Sequence, residues 1–299
     1  MPAVIKLILH SVFFINVIVG MPLNLFIVLM NCRTWRRKKS LPAGDQIVTS
    51  LCLSRWIFQC LITAHHTSHF FLPSDNFNNF FTPARILLNY LSIWLASLLC
   101  VYYCVKISTY QHVGFLYVKA RMSKMVPWCL GLCVFLSLVF IQPYAWHFFS
   151  LAHKASRDGN MTKENIGTSY TYFIGSSPPF IIFIIAFLLT VPSLWRHIRN
   201  MRGDGTSFRN PDMKSHYNAI KSMAAFFLLH IFFLIIVNIN LSGVLNVGDL
   251  YNPLTVMLIS FYPCLHSAVI IFYNTKLRQG FLIPLKCMIN VLQKKAVIA

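Results

Sequence analysis

Acidic side chains are nearly absent from this chain, with 7 Asp and Glu against 26 Lys and Arg in 299 residues. None of them falls in the middle of a long apolar run, the most inward being Asp45 at the start of one. Their scarcity removes the paired intramembrane aspartates of a protease or proton relay and the acid-lined path of a cation transporter. Equally missing are a Ser, His and carboxylate set, a HExxH helix, a phosphate-binding loop, and the Cys and His spacings that hold zinc. The chain is therefore expected to be no enzyme, with no catalytic residues, no metal and no cofactor. Charge of either sign makes up 11% of residues, against about a quarter in soluble domains. Low-complexity segments and internal repeats are missing as well, and an odd number of apolar runs fits poorly with the paired inverted repeats of transporters.

What the chain has instead is hydrophobicity, 57% of residues. It is gathered into seven stretches long enough to supply the roughly 20 residues that cross a hydrocarbon core of about 30 Å. They run from about Val4 to Met30, Ile47 to Leu72, Ile86 to Ile107, Val126 to Phe149, Tyr170 to Trp195, Ala219 to Val244 and Leu254 to Tyr273. The expected fold is an all-α membrane protein: a seven-transmembrane helix bundle over residues 1–275 and a short tail, 276–299, with an interfacial eighth helix. The formal net charge of +19 would suggest nucleic acid in a soluble protein. Here the cations stand beside spans and in alternate loops: Arg33 to Lys39, Lys106 to Lys124, Arg196 to Lys221, and the tail. The intervening side holds only Lys6, Lys154, Arg157 and Lys163. The partner implied is the lipid bilayer and not nucleic acid, with the N-terminus extracellular and the C-terminus cytoplasmic by the positive-inside bias. The first apolar run exceeds a 7–15-residue signal core and lacks a small-residue cleavage site, so the first helix is expected to serve as its own insertion signal.

Several polar residues lie where hydrocarbon should be. Arg55 stands a third of the way along the second span, and a guanidinium cannot lose its charge to escape desolvation. Asp45 is about ten residues and hence roughly 15 Å away on the same helix. Neutral acceptors are therefore expected: Asn24, Ser267 or helix carbonyls. Two readings stand, a fixed tie between three helices or a polar network that rearranges during switching. Arg85 opens the third span, with Asn89 one turn deeper on the same face and His65 at comparable depth. Arg85 either lines an outward cavity or snorkels to headgroups. At least two of His65, His66 and His69 are expected to be interfacial histidines.

Pro178, Pro179, Pro192 and Pro263 permit kinks where neighbours satisfy the freed carbonyls, and Pro263 is the expected hinge. Phe226, Phe227, Phe232 and Phe233 are expected to face lipid or neighbouring helices. Seven cysteines within spans read as packing residues, and no outer disulfide is legible. Asn160-Met161-Thr162 is a glycosylation sequon in a loop placed outside. After Asn274 a basic and apolar mixture is too short to span and suited to the inner interface. Cys287 within it reads as an exposed thiol or a palmitoylation site.

Taken in order, these features meet a pattern. The first span has Gly20 and Asn24; the second has Asp45-Gln46-Ile47 and Leu51-Cys52-Leu53-Ser54-Arg55. The third holds Trp94-Leu95-Ala96 and ends Tyr102-Tyr103-Cys104-Val105-Lys106-Ile107, and Val126-Pro127-Trp128 opens the fourth. Ser193-Leu194 with His197 and Met201 close the fifth; His216, Ala219 and Lys221 begin the sixth. Pro263-Cys264-Leu265-His266-Ser267 and Asn274-Thr275-Lys276-Leu277 mark the seventh. The set resembles the bitter taste receptors (type 2 taste receptors), a family of G-protein-coupled receptors. The acidic-Arg-aromatic triplet, the Asn-Pro-x-x-Tyr and the outer disulfide of rhodopsin-like receptors are not there.

The resemblance implies a plasma-membrane receptor whose small bitter agonist enters from outside and binds among the outer halves of the second, third, sixth and seventh helices. Its partner would be a gustducin-type heterotrimeric G protein. Carried over residue by residue, ligand-binding positions are His65, Arg85, Asn89, Phe233, Asn240 and Val256. The helix network or switch is Asn24, Arg55, Pro263, His266 and Ser267, and the coupling surface is Tyr103, Lys106, His197 and Lys221. Arg85 replaces a frequent Trp, and Val256 stands where some members have an acid, which suggests an acceptor-rich or anionic agonist range. A vomeronasal type 1 receptor shares the architecture but not the Ser-Arg and His-Ser signatures together. A transporter or channel, the alternative of another class, would need a continuous polar path.

Overall fold

Apolar segments in lipid have no water to satisfy their backbone, so they must fold as helices. The computed structural model describes residues 3–71, 75–108, 112–158, 162–203, 211–242 and 251–283, and among these there is no strand. The helices are α1 (Ala3–Lys38), α2 (Ala43–Phe71), α3 (Asp75–Ile107), α4 (Val113–Asp158), α5 (Thr162–Gly203), α6 (Pro211–Ser242) and α7 (Tyr251–Tyr273). A further short helix, α8 (Thr275–Ile283), leaves α7 at 98°. Each of α1 to α6 carries a stretch long and apolar enough to cross a membrane, and α7 qualifies together with α8 as a bent pair. The protein is a multi-pass membrane protein of the expected helical class.

The helices overrun the apolar stretches. At 1.5 Å per residue the 46 residues of α4 reach roughly 70 Å, more than twice the hydrocarbon core. Hydropathy marks only the length immersed in lipid, while backbone hydrogen bonds keep propagating through Lys119, Arg121 and Lys124 once the helix is nucleated. This is why α4 starts at Val113 and not near Val126. The end of α1 is fixed by local chemistry. Arg36, Arg37 and Lys38 fill its last turn, where cations complement the helix dipole. Lys39 then adopts the left-handed conformation, φ 54°, that closes many helices. The ends of α1, α3, α5 and α7 and the starts of α2, α4 and α6 together form the basic end of the bundle.

Burial tells which helix organises the others. α3 packs on α2, α4, α5 and α6 and has 61% of its apolar window buried, against 22% for α4. Trp128 and Trp146 on α4 are 84% and 82% exposed, as expected of a face turned to lipid. One buried cluster, including Ile27, Ile47, Leu51, Leu99 and Ile270, fills the half nearer the basic end. A second, aromatic cluster with Tyr90, Tyr144, Tyr172, Phe233 and Tyr262 fills the other half. Of the Phe residues in α6, Phe226 and Phe233 are buried and Phe232 is exposed. The eight cysteines among the described residues are all free, four of them buried.

α7 runs through Pro263 as one helix, with the Ser267 hydroxyl donating to the Pro263 carbonyl at 2.9 Å. The sharp bend falls at Asn274, whose Oδ1 accepts the Leu277 N–H at 3.2 Å and so caps the start of α8.

Candidate functional site

A charge buried in the bundle needs acceptors, and the geometry around Arg55 supplies two. Arg55 is 1% exposed. Its Nε donates to Ser92 Oγ on α3 at 2.9 Å, and its Nη2 donates to the Tyr262 hydroxyl on α7 at 3.2 Å. The guanidinium also lies 4.9 Å from the Tyr262 ring centroid. The expected partners Asn24 and Ser267 are engaged elsewhere: Asn24 donates to Gln59 Oε1 at 3.1 Å and accepts from Ser267 Oγ at 2.6 Å. The reason is spacing. Arg55 and Gln59 lie one turn apart on the same face of α2, so Gln59 meets α1 while Arg55 meets α3 and α7. Gly20 allows that approach, since a Cβ there would lie 2.3 Å from Gln59 Nε2.

Aromatic contacts extend the network into α6. Tyr262 Oη lies 3.3 Å from His230 Nδ1, and the Tyr262 ring stacks on Phe233 at 4.4 Å. His266 stacks on Phe226 at 3.7 Å between centroids. Of the expected switch set, Asn24, His266 and Ser267 are fully buried beside Arg55, and Pro263 is tied through its carbonyl to Ser267.

At the end opposite the basic one, the α3 column Phe81, Arg85 and Asn89 faces inward. His65 packs against Phe81 with centroids 5.8 Å apart, and His66 lies between His10 and Phe13 at 4.9 and 4.6 Å. Arg85 is half-buried, with its Nε inside the bundle and without a protein partner. Asn89 is buried and donates to the Tyr172 hydroxyl on α5 at 2.5 Å, while Tyr172 stacks on Tyr90. Thus His65 packs on Phe81 one turn from the half-buried Arg85, and Asn89 and Phe233 are buried with the aromatic layer. Asn240 lies on α6 and Val256 on α7, but their side chains, like those of His69 and of His197 on α5, are outside what the structure describes, as are residues Asn160 and Cys287 altogether.

At the basic end, α3, α6, α7 and α8 leave a cleft of about 200 Å³ bordered by Leu99, Tyr103, Asn218, Ser222 and Tyr273. Tyr103, of the expected coupling surface, lines it; Lys106 and Lys221 are exposed nearby on α3 and α6. Beside it, Lys276 Nζ donates to Asp45 Oδ2 at 2.8 Å and Asn31 Oδ1 at 3.2 Å. That contact ties α8 to the start of α2 and the end of α1.

Comparison with known proteins decides the family. The sequence profile described as "Taste receptor protein (TAS2R)" matches residues 1–289. The chain belongs to the taste receptor (TAS2R) family. Taste receptor type 2 member 39 of Macaca mulatta is 31% identical over 275 residues, covering 88% of this chain and 81% of its own. Taste receptor type 2 member 7 of the same organism is 30% identical, covering 92% and 91%. The crystal structure of squid rhodopsin superposes with a TM-score of 0.61 at 14% identity, covering 96% of this chain and 88% of that one. At that identity the likeness concerns the fold, a seven-helix receptor bundle. The family is one of receptors and not of enzymes.

In this taste receptor the residues that complete the buried network, Ser92, Gln59, His230 and Tyr262, were not singled out by sequence reasoning. A signal existed for two of them. His230 interrupts a Phe- and Leu-rich run, and Gln59 follows Arg55 by one turn; polar groups in a span are functional candidates by default.

Proposed function

We propose that this chain is a plasma-membrane bitter taste receptor that binds small bitter compounds and activates a gustducin-type heterotrimeric G protein. The single observation that carries this reading is the family match along residues 1–289. With the N-terminus outside and the basic end cytoplasmic, residues 1–275 form the receptor domain and 276–299 a cytoplasmic tail. Agonist enters beside His65 and Arg85 and reaches Asn89, Phe233, Asn240 and Val256. The G protein meets Tyr103, Lys106, His197 and Lys221 around the cleft at the basic end.

The contacts supply a route between the two. Phe233 stacks on Tyr262, and Tyr262 accepts from Arg55, so an agonist that displaces Phe233 disturbs the acceptor of the buried guanidinium. A ligand shifts such an equilibrium only by its differential affinity; moving it from 1:99 to 99:1 takes about 10⁴-fold, or about 5.5 kcal/mol. The unpartnered Arg85 Nε favours agonists with acceptor-rich or anionic groups.

Heterologous expression with a promiscuous G-protein reporter, against a varied panel of bitter compounds, tests the reading. Agonist-dependent turnover is expected. A chain that reaches the surface yet answers no compound, or passes ionic current instead, would overturn it.

A further inference from the structure

Between α3, α5, α6 and α7 lies a small internal void with about 10 Å³ of room for the centre of a water-sized sphere, bordered by Ile93, Ser97, Phe226, His230, Tyr262 and His266. That is the room of about one water, and a halide, somewhat larger, would press the bordering side chains slightly apart. The polar groups at and behind its wall are unevenly matched: His230 and His266 border it, while Arg55 stands behind Tyr262. Arg55 Nη1, His230 Nε2 and both ring nitrogens of His266 are buried without a protein hydrogen-bond partner. Arg55, His230 and His266 are 1%, 5% and 0% exposed.

Proton bookkeeping orients these groups. A guanidinium can only donate, so Tyr262 Oη is the acceptor of Arg55 Nη2. The arrangement that also uses the hydroxyl proton sends it to His230 Nδ1, which leaves the imidazole proton on Nε2. That N–H has no protein acceptor. Neutral His266 adds a second N–H together with one bare accepting nitrogen, and Arg55 Nη1 adds two more N–H groups. The cluster thus carries an excess of donors and one formal positive charge. No carboxylate answers it, because the most inward acid, Asp45, is bonded to Lys276 at the basic end. A water would accept two of these donors but bring two protons of its own and leave the charge uncompensated; a small anion accepts from the donors and offsets the guanidinium. An uncompensated buried charge is among the costliest features a bundle can hold.

We propose that this void binds a small monovalent anion of the chloride class, received by the imidazole N–H groups of His230 and His266, with Arg55 as its countercharge one hydrogen bond away through Tyr262. The inference does not depend on the agonist class or on G-protein choice, so it stands or falls apart from the taste reading. Because Tyr262 also carries Phe233, the anion would stabilise the helix arrangement described here and act on the signalling equilibrium from inside.

The test is the thermal unfolding midpoint of the purified full chain in lipid nanodiscs, titrated with sodium chloride, sodium bromide or sodium gluconate at constant ionic strength. Saturable stabilisation by chloride and bromide and none by gluconate is the expected result. His266→Phe keeps the ring stacked on Phe226 and deletes the donor, and should raise the half-saturating chloride concentration about tenfold, the loss of one charge-assisted hydrogen bond. Arg55→Met should abolish the effect. Equal midpoints in chloride and gluconate would overturn the proposal in the wild-type protein alone, whether or not the variants fold. So would a chloride effect of undiminished strength in His266→Phe.

Discussion

Replacing Tyr262 with Phe separates the hydrogen bonds of the buried network from its packing. The ring keeps its 4.4 Å stack on Phe233 and its place under the guanidinium at 4.9 Å. What disappears is the hydroxyl that accepts from Arg55 Nη2 and meets His230 Nδ1. A hydrogen bond from a charged donor contributes about 1.5–3 kcal/mol net, and with Ser92 left as the remaining side-chain acceptor the loss should lie near 2 kcal/mol. If the bond belongs to the resting arrangement alone, that loss favours the signalling arrangement about 30-fold. The expected outcome is raised agonist-independent calcium signalling at matched surface level, with a lower thermal midpoint of the purified receptor. A double-mutant cycle with Ser92→Ala sharpens the test. Both residues bond one guanidinium, so a coupling of about 0.5–3 kcal/mol is expected. Unchanged basal signalling together with an unchanged midpoint, or strictly additive single effects, would refute the view that Arg55 holds α3 and α7 as one unit.

Gly20→Ala places a Cβ 2.3 Å from Gln59 Nε2 and 3.0 Å from Cys264 Cβ; overpacking of about 1–3 kcal/mol should lower the thermal midpoint, and Gln59→Ala should restore part of it. Lys276→Met breaks a pair whose side chains are 39% and 18% exposed, so stability should change by about 1 kcal/mol or less while maximal signalling falls. The swapped pair Asp45→Lys with Lys276→Asp should recover some of that signal. Arg85→Ala or Arg85→Trp should erase a preference for acidic over cationic agonists, measured by calcium responses across a charged panel; an unchanged preference would remove Arg85 from ligand selection. Asn160→Gln should increase electrophoretic mobility as glycosidase treatment does, and no shift in either case would count against the proposed orientation.

The spans were legible because lipid demands long apolar helices, and the demand is written in composition. The helix ends were not, because α4 continues through Lys119, Arg121 and Lys124 and α5 runs on to Gly203 through a basic stretch, both of which hydropathy reads as loop. Arg55 stood out for the same reason the spans did: a permanent charge in an apolar run is visible without a structure. Its partners were another matter. Which residues of α3 and α7 face α2 depends on how each helix is rotated, and the sequence of one helix says nothing of its rotation against another. Asn24 and Ser267 belong to the same buried layer, yet a one-turn offset along α2 gives them to Gln59. Tyr262 was hidden because a Tyr in a span usually means an interface, and only the stack on Phe233 reveals its double role.

The polar ties of α2 to α7 and α8 are arranged in series along the bundle. Asp45 holds Lys276 at the basic end, and Arg55 holds Tyr262 in the middle; Asn24 joins Gln59 to Ser267 from the side. Apolar contacts between helices tolerate small slides, but hydrogen bonds lose strength steeply with angle and distance. A displacement of α7 along α2 therefore weakens all of these ties together. Packed elements so pinned tend to change between discrete arrangements and not by degrees. That is the property a receptor needs if a ligand acting near Phe233 is to alter the cleft beside Tyr103, at the opposite end of the same helices.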